Sequence, residues 1–329
     1  MTPDSSSLRR YFIVGGAGFI GSHFTDRLLT DQSTAAVTLY DNFSSGREWH
    51  YEQHRSDPRL RVVRGDVKDT DLLAQAMAGH DTVIHLASNP DIARAISEPD
   101  IDFREGTQLT QNVVEAMRRT GAKTILYASG SGIYGDLGEE EAVEDRGPLI
   151  PVSTYGASKL AGEALISAYT YMFDFLGRAF RFGNVVGPRQ THGVGFDFLR
   201  SLLKNPRKLR ILGDGTQSKS YIHVLDVVEA VLLAARRSTG PFAAYNVATG
   251  DYITVTEIAR LAVECVELDP GEVEFEYTGG NRGWKGDVPI VRLNTDRIRA
   301  LGWTCRAATR EALRSSMMAM LPEIKAGRL

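Results

Sequence analysis

The sequence has few cysteines, no long apolar run and no excess of either charge. Cys265 and Cys305 are its two cysteines, and neither has metal-ligand spacing around it, which predicts two free thiols in a reducing cytoplasm and no metal site. No stretch is long and apolar enough to span a membrane, and the Ser-rich first ten residues lack the apolar core of a secretion signal. The net charge of −3 gives no basic surface for nucleic acid.

What is present is the composition of a soluble globular protein, 43% hydrophobic and 24% charged. The 329 residues exceed one ordinary domain. Apolar runs alternate with segments of helical spacing, which predicts an α/β fold with a parallel sheet covered on both faces. We expect a disordered N-terminus over residues 1–10, a first domain over 11–184 and a smaller lobe over 185–329, with segments partly interleaved.

A glycine-rich turn at residues 14–21 joins the apolar run 11–14 to a segment of helical spacing. Strand, glycine turn and helix in this order are the context of a dinucleotide-binding fingerprint. Gly15 allows the tight turn, Gly18 lets the backbone approach a pyrophosphate, and Gly21 lets the helix pack closely on the strand. The helix N-terminus supplies N–H groups to the phosphates.

Asp41 ends the next apolar run, at the spacing from the glycine turn that this fingerprint requires. A carboxylate there accepts hydrogen bonds from the adenosine ribose and repels a 2′-phosphate. The sequence therefore predicts an NAD site in preference to an NADP site.

Polar or small residues also follow the third and fourth predicted strands. Asp66 either faces the adenine or caps the helix that follows, and both roles stay open. Ala87 and Ser88 are small enough to pass close to a cofactor. His85, inside an apolar strand, is interpreted as a buried, hydrogen-bonded core residue rather than as a base.

Tyr155 and Lys159 begin a predicted helix that runs to about residue 173. Residues i and i+4 share a helix face, and an ammonium close to a phenol lowers the pKa of the phenol, which suits a general base. The pair is common on ordinary helices, but here it follows five predicted strands. A second turn of small residues, 129–135, ends the fifth strand.

Taken together, these motifs resemble those of the extended short-chain dehydrogenases/reductases, the NAD-dependent nucleotide-sugar epimerase/dehydratase family, from Phe12 to about Trp303. The resemblance implies a Rossmann-type doubly wound parallel sheet with a smaller C-terminal α/β substrate lobe, and NAD as cofactor. Tyr155 would take a proton from a sugar hydroxyl while the adjacent carbon gives hydride to NAD+, and Lys159 would hold the nicotinamide ribose. The implied reaction is epimerisation of a nucleotide-linked sugar at C4 through a 4-keto intermediate. Decarboxylation or net oxidation from the same intermediate, and a non-catalytic NAD-binding protein, remain alternatives.

The resemblance also implies site residues. The catalytic set is Tyr155, Lys159, Ser129 and Ser131. The cofactor contacts are Gly15, Gly18, Phe19, Ile20, Gly21, Asp41, Asn42, Ser45, Gly46, Asp66, Val67, Leu86, Ala87, Ser88, Tyr155 and Lys159. The substrate contacts are Asn184, Lys219 and Arg282 along the diphosphate, together with Gly130, Ser131 and Arg189.

Two departures from the family pattern concern this site. Gly130 stands where epimerases of the group carry Ser or Thr, and Ser131 and Gly132 replace the Asp-Glu of dehydratases. Dehydration needs a carboxylic acid at that turn, so sugar 4,6-dehydration is disfavoured. Either Ser129 or Ser131 supplies the missing hydroxyl, or Gly130 makes room for a bulkier substrate. Gly106 likewise replaces a common Asn.

A homodimer is implied as well, through a four-helix interface built from the helix that starts at Asp102 and the helix that carries Tyr155. The second helix has more apolar surface than one sheet contact needs, contributed by Ala161, Ala164, Leu165, Ala168 and Tyr169. Packing of these residues within one subunit is the alternative.

Overall fold

Thirteen strands and nine α-helices are found in the computed structural model, which describes residues 9–329. The strands are β1 (Arg10–Val14), β2 (Ala36–Asp41), β3 (Leu60–Arg64), β4 (Thr82–His85), β5 (Thr124–Gly130), β6 (Leu176–Phe182), β7 (Asn184–Val186), β8 (Lys208–Ile211), β9 (Ser218–Lys219), β10 (Tyr221–His223), β11 (Phe242–Val247), β12 (Ile253–Thr254) and β13 (Glu274–Tyr277). The helices are α1 (Phe19–Thr30), α2 (Thr70–Met77), α3 (Gln108–Thr120), α4 (Thr154–Phe173), α5 (Val194–Lys204), α6 (Val224–Arg237), α7 (Val255–Cys265), α8 (Asp296–Ala300) and α9 (Thr309–Lys325).

The central sheet has seven strands in the order β11-β6-β5-β4-β1-β2-β3. Strand β1 pairs in parallel with β2 and β4, β2 with β3, and β4 with β5. The order 3-2-1-4-5-6 is that of the doubly wound Rossmann fold, with its switch point between β1 and β4. The predicted α/β fold class is confirmed.

Nearly continuous apolar strands explain why this sheet is buried on both faces. Strand β1 is buried from Tyr11 to Val14, and the whole of β4 is buried. Helix ends carry the expected signals: the Asp69 side chain caps α2 by accepting from Leu72 N–H at 3.0 Å, and Gly121 ends α3 in the left-handed conformation.

The chain forms two compact units. The first comprises the described residues through Ile133, then Thr154–Arg181 and Val228–Tyr245. The second comprises Tyr134–Ser153, Phe182–Val227 and Asn246–Leu329. The chain therefore passes between the units several times, and one passage, at Arg181–Phe182, lies close to the expected domain boundary at residue 184.

The second unit has its own core, built by α5, α7 and α9 together with β8 and β10. Its fully buried members include Leu199, Leu209, Ile258 and Met317. Three two-stranded sheets, β10-β7, β12-β9 and β13-β8, complete it. Thr254 and Glu257 form a capping box at the start of α7.

Several sequence expectations need correction. Residues 1–8 of the expected disordered N-terminus lie outside the described residues. Arg10, which was also expected to be disordered, belongs to β1 and pairs with Ala36 of β2. Helix α6 starts only at Val224, because the preceding residues Tyr221–His223 pair with β7. The helix expected from Asp102 is interrupted by a π-helical turn over Phe103–Thr107. The region after residue 266, for which no helix was predicted, contains α9, whose apolar residues join the second core.

Cys265 and Cys305 are free thiols, as predicted. Within residues 9–329, no helix is both long and apolar enough to cross a membrane.

Candidate active site

The glycine turn is shaped by two close approaches that exclude a side chain. Gly15 has a φ of +79°, and a Cβ there would lie 2.9 Å from the backbone N of Ala87. A Cβ on Gly21 would lie 2.6 Å from the carbonyl O of Gly15. Helix α1 begins at Phe19 with Gly18 as its N-cap and no side-chain cap. The first N–H groups of α1 are therefore available to an anion, which is what a dinucleotide pyrophosphate requires.

Asp41 braces this turn from the end of β2. Its carboxylate accepts from the N–H groups of Ala17 at 2.9 Å and Phe43 at 2.8 Å. The residue is 7% exposed, and burial raises the pKa of its carboxyl against these two hydrogen bonds. Gly46 packs on it, since a Cβ at Gly46 would lie 2.9 Å from Asp41 Oδ1. Two N–H donors leave lone pairs on the carboxylate for ribose hydroxyls.

The neighbouring predicted contacts lie in two loops. Asn42 is exposed and accepts from Ser44 N–H at 3.0 Å, whereas Ser45 is partly buried. Asp66 accepts from Lys68 N–H at 2.9 Å, and the cap of α2 is Asp69. The alternative role of Asp66 as an N-cap is therefore wrong, because Asp69 occupies that position.

The end of β4 is fixed beside the glycine turn. The N–H groups of Leu86 and Ala87 both donate to the carbonyl of Val14, at 2.9 and 3.1 Å. Val67, three residues after β3, is buried, and its carbonyl accepts from the Asn112 amide at 3.1 Å. These ends surround the switch point of the sheet, where open α/β sheets bind ligands.

His85 is a core residue, as interpreted from the sequence. It is 1% exposed, and its Nε2 lies 3.1 Å from the Thr110 hydroxyl. Burial lowers the pKa of His85 to about 3. The imidazole is therefore neutral across the physiological range and does not exchange protons with a substrate.

Tyr155 and Lys159 lie in the first two turns of α4, as predicted. The Lys159 ammonium donates to the carbonyl of Ala128 in β5 at 2.8 Å. It also lies 5.5 Å from the centre of the Tyr155 ring and 5.2 Å from that of Tyr127. Strand β5 thus holds the cation beside the phenol.

The pKa of Tyr155 differs in direction from the sequence expectation. Burial raises the pKa of Tyr155 to about 12, where a lowering by Lys159 was expected. The Ser88 hydroxyl is close enough to oppose this shift, although it makes no well-aligned hydrogen bond. Burial also lowers the pKa of Lys159 to about 8. Burial is the largest cause of both shifts, because a surrounding of low dielectric disfavours the phenolate and the ammonium alike.

The second small-residue turn separates Ser129 from Ser131. Ser129 belongs to β5, and its hydroxyl donates to Glu163 at 2.6 Å. Glu163 is in turn paired with Arg181 at 2.8 Å, and both side chains are 6% exposed. Ser129 is therefore engaged in the interior of the first unit, which argues against the catalytic role predicted for it.

Ser131 and Gly130 face a different environment. Ser131 is partly buried and starts a single turn of 3-10 helix, Ser131–Tyr134. A Cβ on Gly130 would meet no heavy atom within 4 Å, and one on Gly132 would lie 3.6 Å from the Cα of Gly156. The turn therefore lies against the first turn of α4, with open space beside Gly130.

In the second unit, the structure brings two predicted phosphate ligands together at Asp287. Lys219 Nζ lies 2.6 Å from Asp287 Oδ1, and Arg282 donates to the Asp287 carbonyl. Arg282 also pairs with Asp136 at 2.6 Å. Sequence reasoning missed both aspartates, although Asp287 ends the charged Gly-rich stretch that contains Arg282.

The other predicted substrate contacts of the second unit lie on β7 and after it. Asn184 donates its backbone N–H to the carbonyl of Ser220 at 3.0 Å, next to Lys219 in the chain. Arg189 lies in the loop after β7 with a φ of +68°, a conformation uncommon for a side chain of its size.

Comparison with known proteins gives consistent matches over almost the whole chain. The sequence profile of the NAD dependent epimerase/dehydratase family matches residues 11–248. The chain is 32% identical over 311 residues to the UDP-glucose 4-epimerase of Mycolicibacterium smegmatis, covering 92% of this chain and 96% of that protein.

Two solved structures are similar in fold. A crystal structure of a UDP-galactose 4-epimerase has a TM-score of 0.85 and 35% identity, covering 96% of this chain and 99% of that one. The structure of MoeE5 in complex with UDP-glucuronic acid and NAD has a TM-score of 0.82 and 29% identity, covering 97% and 100%.

Proposed function

This chain belongs to the NAD dependent epimerase/dehydratase family, and we propose that it epimerises a nucleotide-linked sugar at C4 through a transient 4-keto intermediate. The observation that carries this proposal is the Tyr155–Lys159 pair, held by β5 in the same unit as a dinucleotide-binding turn. A stable fold does not need a buried lysine beside a phenol, because burying the ammonium costs free energy.

The residues around the switch point fit NAD. The available N–H groups of α1 suit a pyrophosphate, and the lone pairs of Asp41 suit an unphosphorylated ribose. Bound NAD would supply reversible hydride transfer at the sugar carbon, which is redox chemistry that the protein's own side chains lack.

In the proposed reaction, Tyr155 removes the proton of the sugar hydroxyl as the adjacent carbon loses hydride, and it returns the proton after the keto sugar has turned over. Lys159 stabilises the phenolate by its charge, and the Ala128 carbonyl holds the ammonium in place. The Ser131 hydroxyl is the better placed of the two serines to bind the reacting oxygen, because the Ser129 hydroxyl is engaged by Glu163.

A nucleotide diphosphate is the proposed anion for Lys219 and Arg282. Two cations that both contact Asp287 suit a diphosphate, and Asp287 and Asp136 balance their charge. Asn184 and Arg189 are the other proposed substrate contacts of the second unit.

Net oxidation or decarboxylation of a nucleotide-linked uronic acid is the second candidate, favoured by the likeness to MoeE5, whose structure contains UDP-glucuronic acid. A non-catalytic NAD-binding protein is a third. The buried Lys159 beside Tyr155 argues against the third, since an ammonium does not serve as a routine core residue.

The purified protein incubated with UDP-, GDP-, CDP- and TDP-sugars separates these functions. We expect stereochemical inversion by NMR without accumulation of NADH. Release of CO2 or stoichiometric NADH would support the second candidate instead. Tyr155→Phe is expected to lose turnover while still binding NAD, and full residual activity in that variant would contradict the proposed base.

We also propose a cytoplasmic homodimer that pairs α3 and α4 of two copies. Free thiols suit a reducing compartment. On α4, Ala164 and Ala168 are exposed, and Tyr171 and Met172 are 71% and 70% exposed, so part of the predicted apolar face is not covered within one copy. Light scattering should give twice the 36.2 kDa chain mass, and Ala164→Glu should reduce it to one.

A further inference from the structure

Asp102 is a buried carboxylate without a part in the reaction proposed above. It is 1% exposed. Its Oδ1 accepts from the Asn89 amide at 2.9 Å, and its Oδ2 accepts from the Thr154 hydroxyl at 2.6 Å. Thr154 precedes Tyr155, and Asn89 follows Ser88. The carboxylate therefore joins the chain neighbours of Tyr155 and Ser88, whose hydroxyl groups lie close together without a well-aligned hydrogen bond.

The segment that carries Asp102 is fixed along α4. After Asp102 the chain makes its π-helical turn, Phe103–Thr107. Gly106 in this turn comes so close to α4 that a Cβ there would lie 2.3 Å from Ser158 Oγ. Because Thr154 and Ser158 are one helical turn apart, the segment follows α4 for a full turn beside Tyr155 and Lys159.

The charge of Asp102 acts on both members of the pair. It raises the pKa of Lys159, which opposes the effect of burial on that group. It also raises the pKa of Tyr155, which adds to the effect of burial there. A negative charge close to an ammonium favours the charged form of the ammonium, and the same charge disfavours a phenolate.

The other titratable groups that face the pair carry no comparable free charge. On β4, His85 is neutral because burial lowers its pKa to about 3. On β5, burial raises the pKa of Tyr127 far above its usual value. On α4 itself, Glu163 is neutralised by Arg181.

We propose that Asp102 is a positioning residue for the Tyr155–Lys159 pair, holding the first turn of α4 through Thr154 and balancing the charge of the Lys159 ammonium. In this role its negative charge keeps the protons on Lys159 and on Tyr155 up to a higher pH. The inference rests on the proposed function of Tyr155 as the base.

The first test needs no substrate. Protein labelled with ¹³C at lysine Cε is titrated by NMR, and the Lys159 resonance is assigned by its loss in Lys159→Met. We expect Asp102→Asn to lower the titration midpoint of Lys159 by roughly half a pH unit or more. Thr154→Val is the matched control, since it removes the hydrogen bond but leaves the carboxylate, and it should shift the midpoint less. An equal midpoint in Asp102→Asn and wild type overturns the proposal.

The second test separates the failure of this inference from that of the proposed function. With UDP-glucose as the probe, the pH profile of kcat/KM should move to lower pH in Asp102→Asn, because both Tyr155 and Lys159 lose a proton more easily. Asp102→Glu, which keeps the charge, should return the profile to its wild-type position with a lower kcat.

If Tyr155→Phe is inactive but the Asp102→Asn profile does not move, this inference alone is wrong. If Tyr155→Phe is fully active, the proposed base is wrong. Should Asp102→Asn fail to fold, an unchanged Lys159 midpoint in Asp102→Glu supports the charge role, and a lowered one contradicts it.

Discussion

Gly130 is the residue at which this chain lacks the hydroxyl side chain of the usual epimerase pattern. The space beside it accepts a Cβ without any contact under 4 Å. Gly130→Ser therefore adds a hydroxyl next to the first turn of α4 without strain. We expect kcat on UDP-glucose to rise roughly tenfold, the effect of one hydrogen bond that strengthens in the transition state.

Gly130→Ala is the control for that change, because it adds the same Cβ without the hydroxyl. It should leave kcat near the wild-type value. A fall in kcat for both variants would instead indicate that the natural substrate occupies the space beside Gly130.

Ser129 and Ser131 are two residues apart, and the structure predicts opposite consequences for their loss. Ser129→Ala leaves Glu163 without one of its buried donors, so it should lower the free energy of unfolding by about 1–2 kcal/mol while changing kcat little. Ser131→Ala should lower kcat roughly tenfold with little change in stability. Thermal unfolding and steady-state rates on the two variants check this, and the reverse pattern would contradict it.

At this scale, the sequence predicted residues whose role is local and missed those whose role depends on distant partners. His85 could be assigned to the core from its own apolar strand. Asp102, Asp287 and Glu163 could not, because each has a partner far away in the chain. Those partners, Thr154, Lys219 and Arg181, are 52, 68 and 18 residues away respectively. The pKa of Tyr155 was expected in the wrong direction for a related reason: helical spacing gives the distance to Lys159 but not the extent of burial.

The glycine turn is the element whose geometry allows the sharpest prediction. Gly21→Ala places a methyl group 2.6 Å from the Gly15 carbonyl, so α1 must shift away from β1. We expect the affinity for NAD to fall tenfold or more, roughly the effect of 1–3 kcal/mol of overpacking. Calorimetric titration with NAD measures it.

Thr25→Ala is the comparison for that variant. It lies one turn further along α1 and removes atoms instead of adding them, and its hydroxyl donates to the Gly21 carbonyl. Its affinity for NAD should stay within about twofold of wild type. An equal loss in both variants would mean that any disturbance of α1 matters, rather than the close approach at Gly21.

Elements of the first unit were easier to predict than those of the second. Strands β1–β5 are apolar runs bounded by turns and Asp residues, so periodicity and length identify them. Strand β10 has three residues and adjoins α6 directly, which leaves no turn signal between them. Helix α9 was missed because its charged and apolar residues follow a long loop-rich stretch that gave no expectation of a helix.

At the level of the whole molecule, chain order and spatial organisation differ. The first unit includes residues after 227, and the second includes residues 134–153. A sequence shows where apolar runs occur but not which distant runs share a core. We could therefore expect the two lobes to interleave, but not which segments would belong to which lobe. The pairing of Glu144 with the N–H of Asn246 at 2.9 Å illustrates how the second unit joins two such segments.

The free energy of unfolding of the whole molecule should be lower because Lys159 is buried. Folding lowers the pKa of Lys159 from 10.5 to about 8, so below pH 8 the folded chain must hold a charge that burial disfavours, at a cost on the order of 3 kcal/mol. Lys159→Met removes that cost but also loses the hydrogen bond to Ala128, which offsets about 1 kcal/mol. We expect this variant, without NAD, to be inactive and yet about 2 kcal/mol more stable at pH 7. Because the folded pKa lies below the unfolded one, the relief of the burial cost should be complete below pH 8, shrink between pH 8 and 10.5, and be lost above, where the missing hydrogen bond leaves the variant about 1 kcal/mol less stable than wild type. Urea unfolding across this range measures it, and a variant less stable than wild type at pH 7 would show that the ammonium holds the fold together rather than serving the reaction.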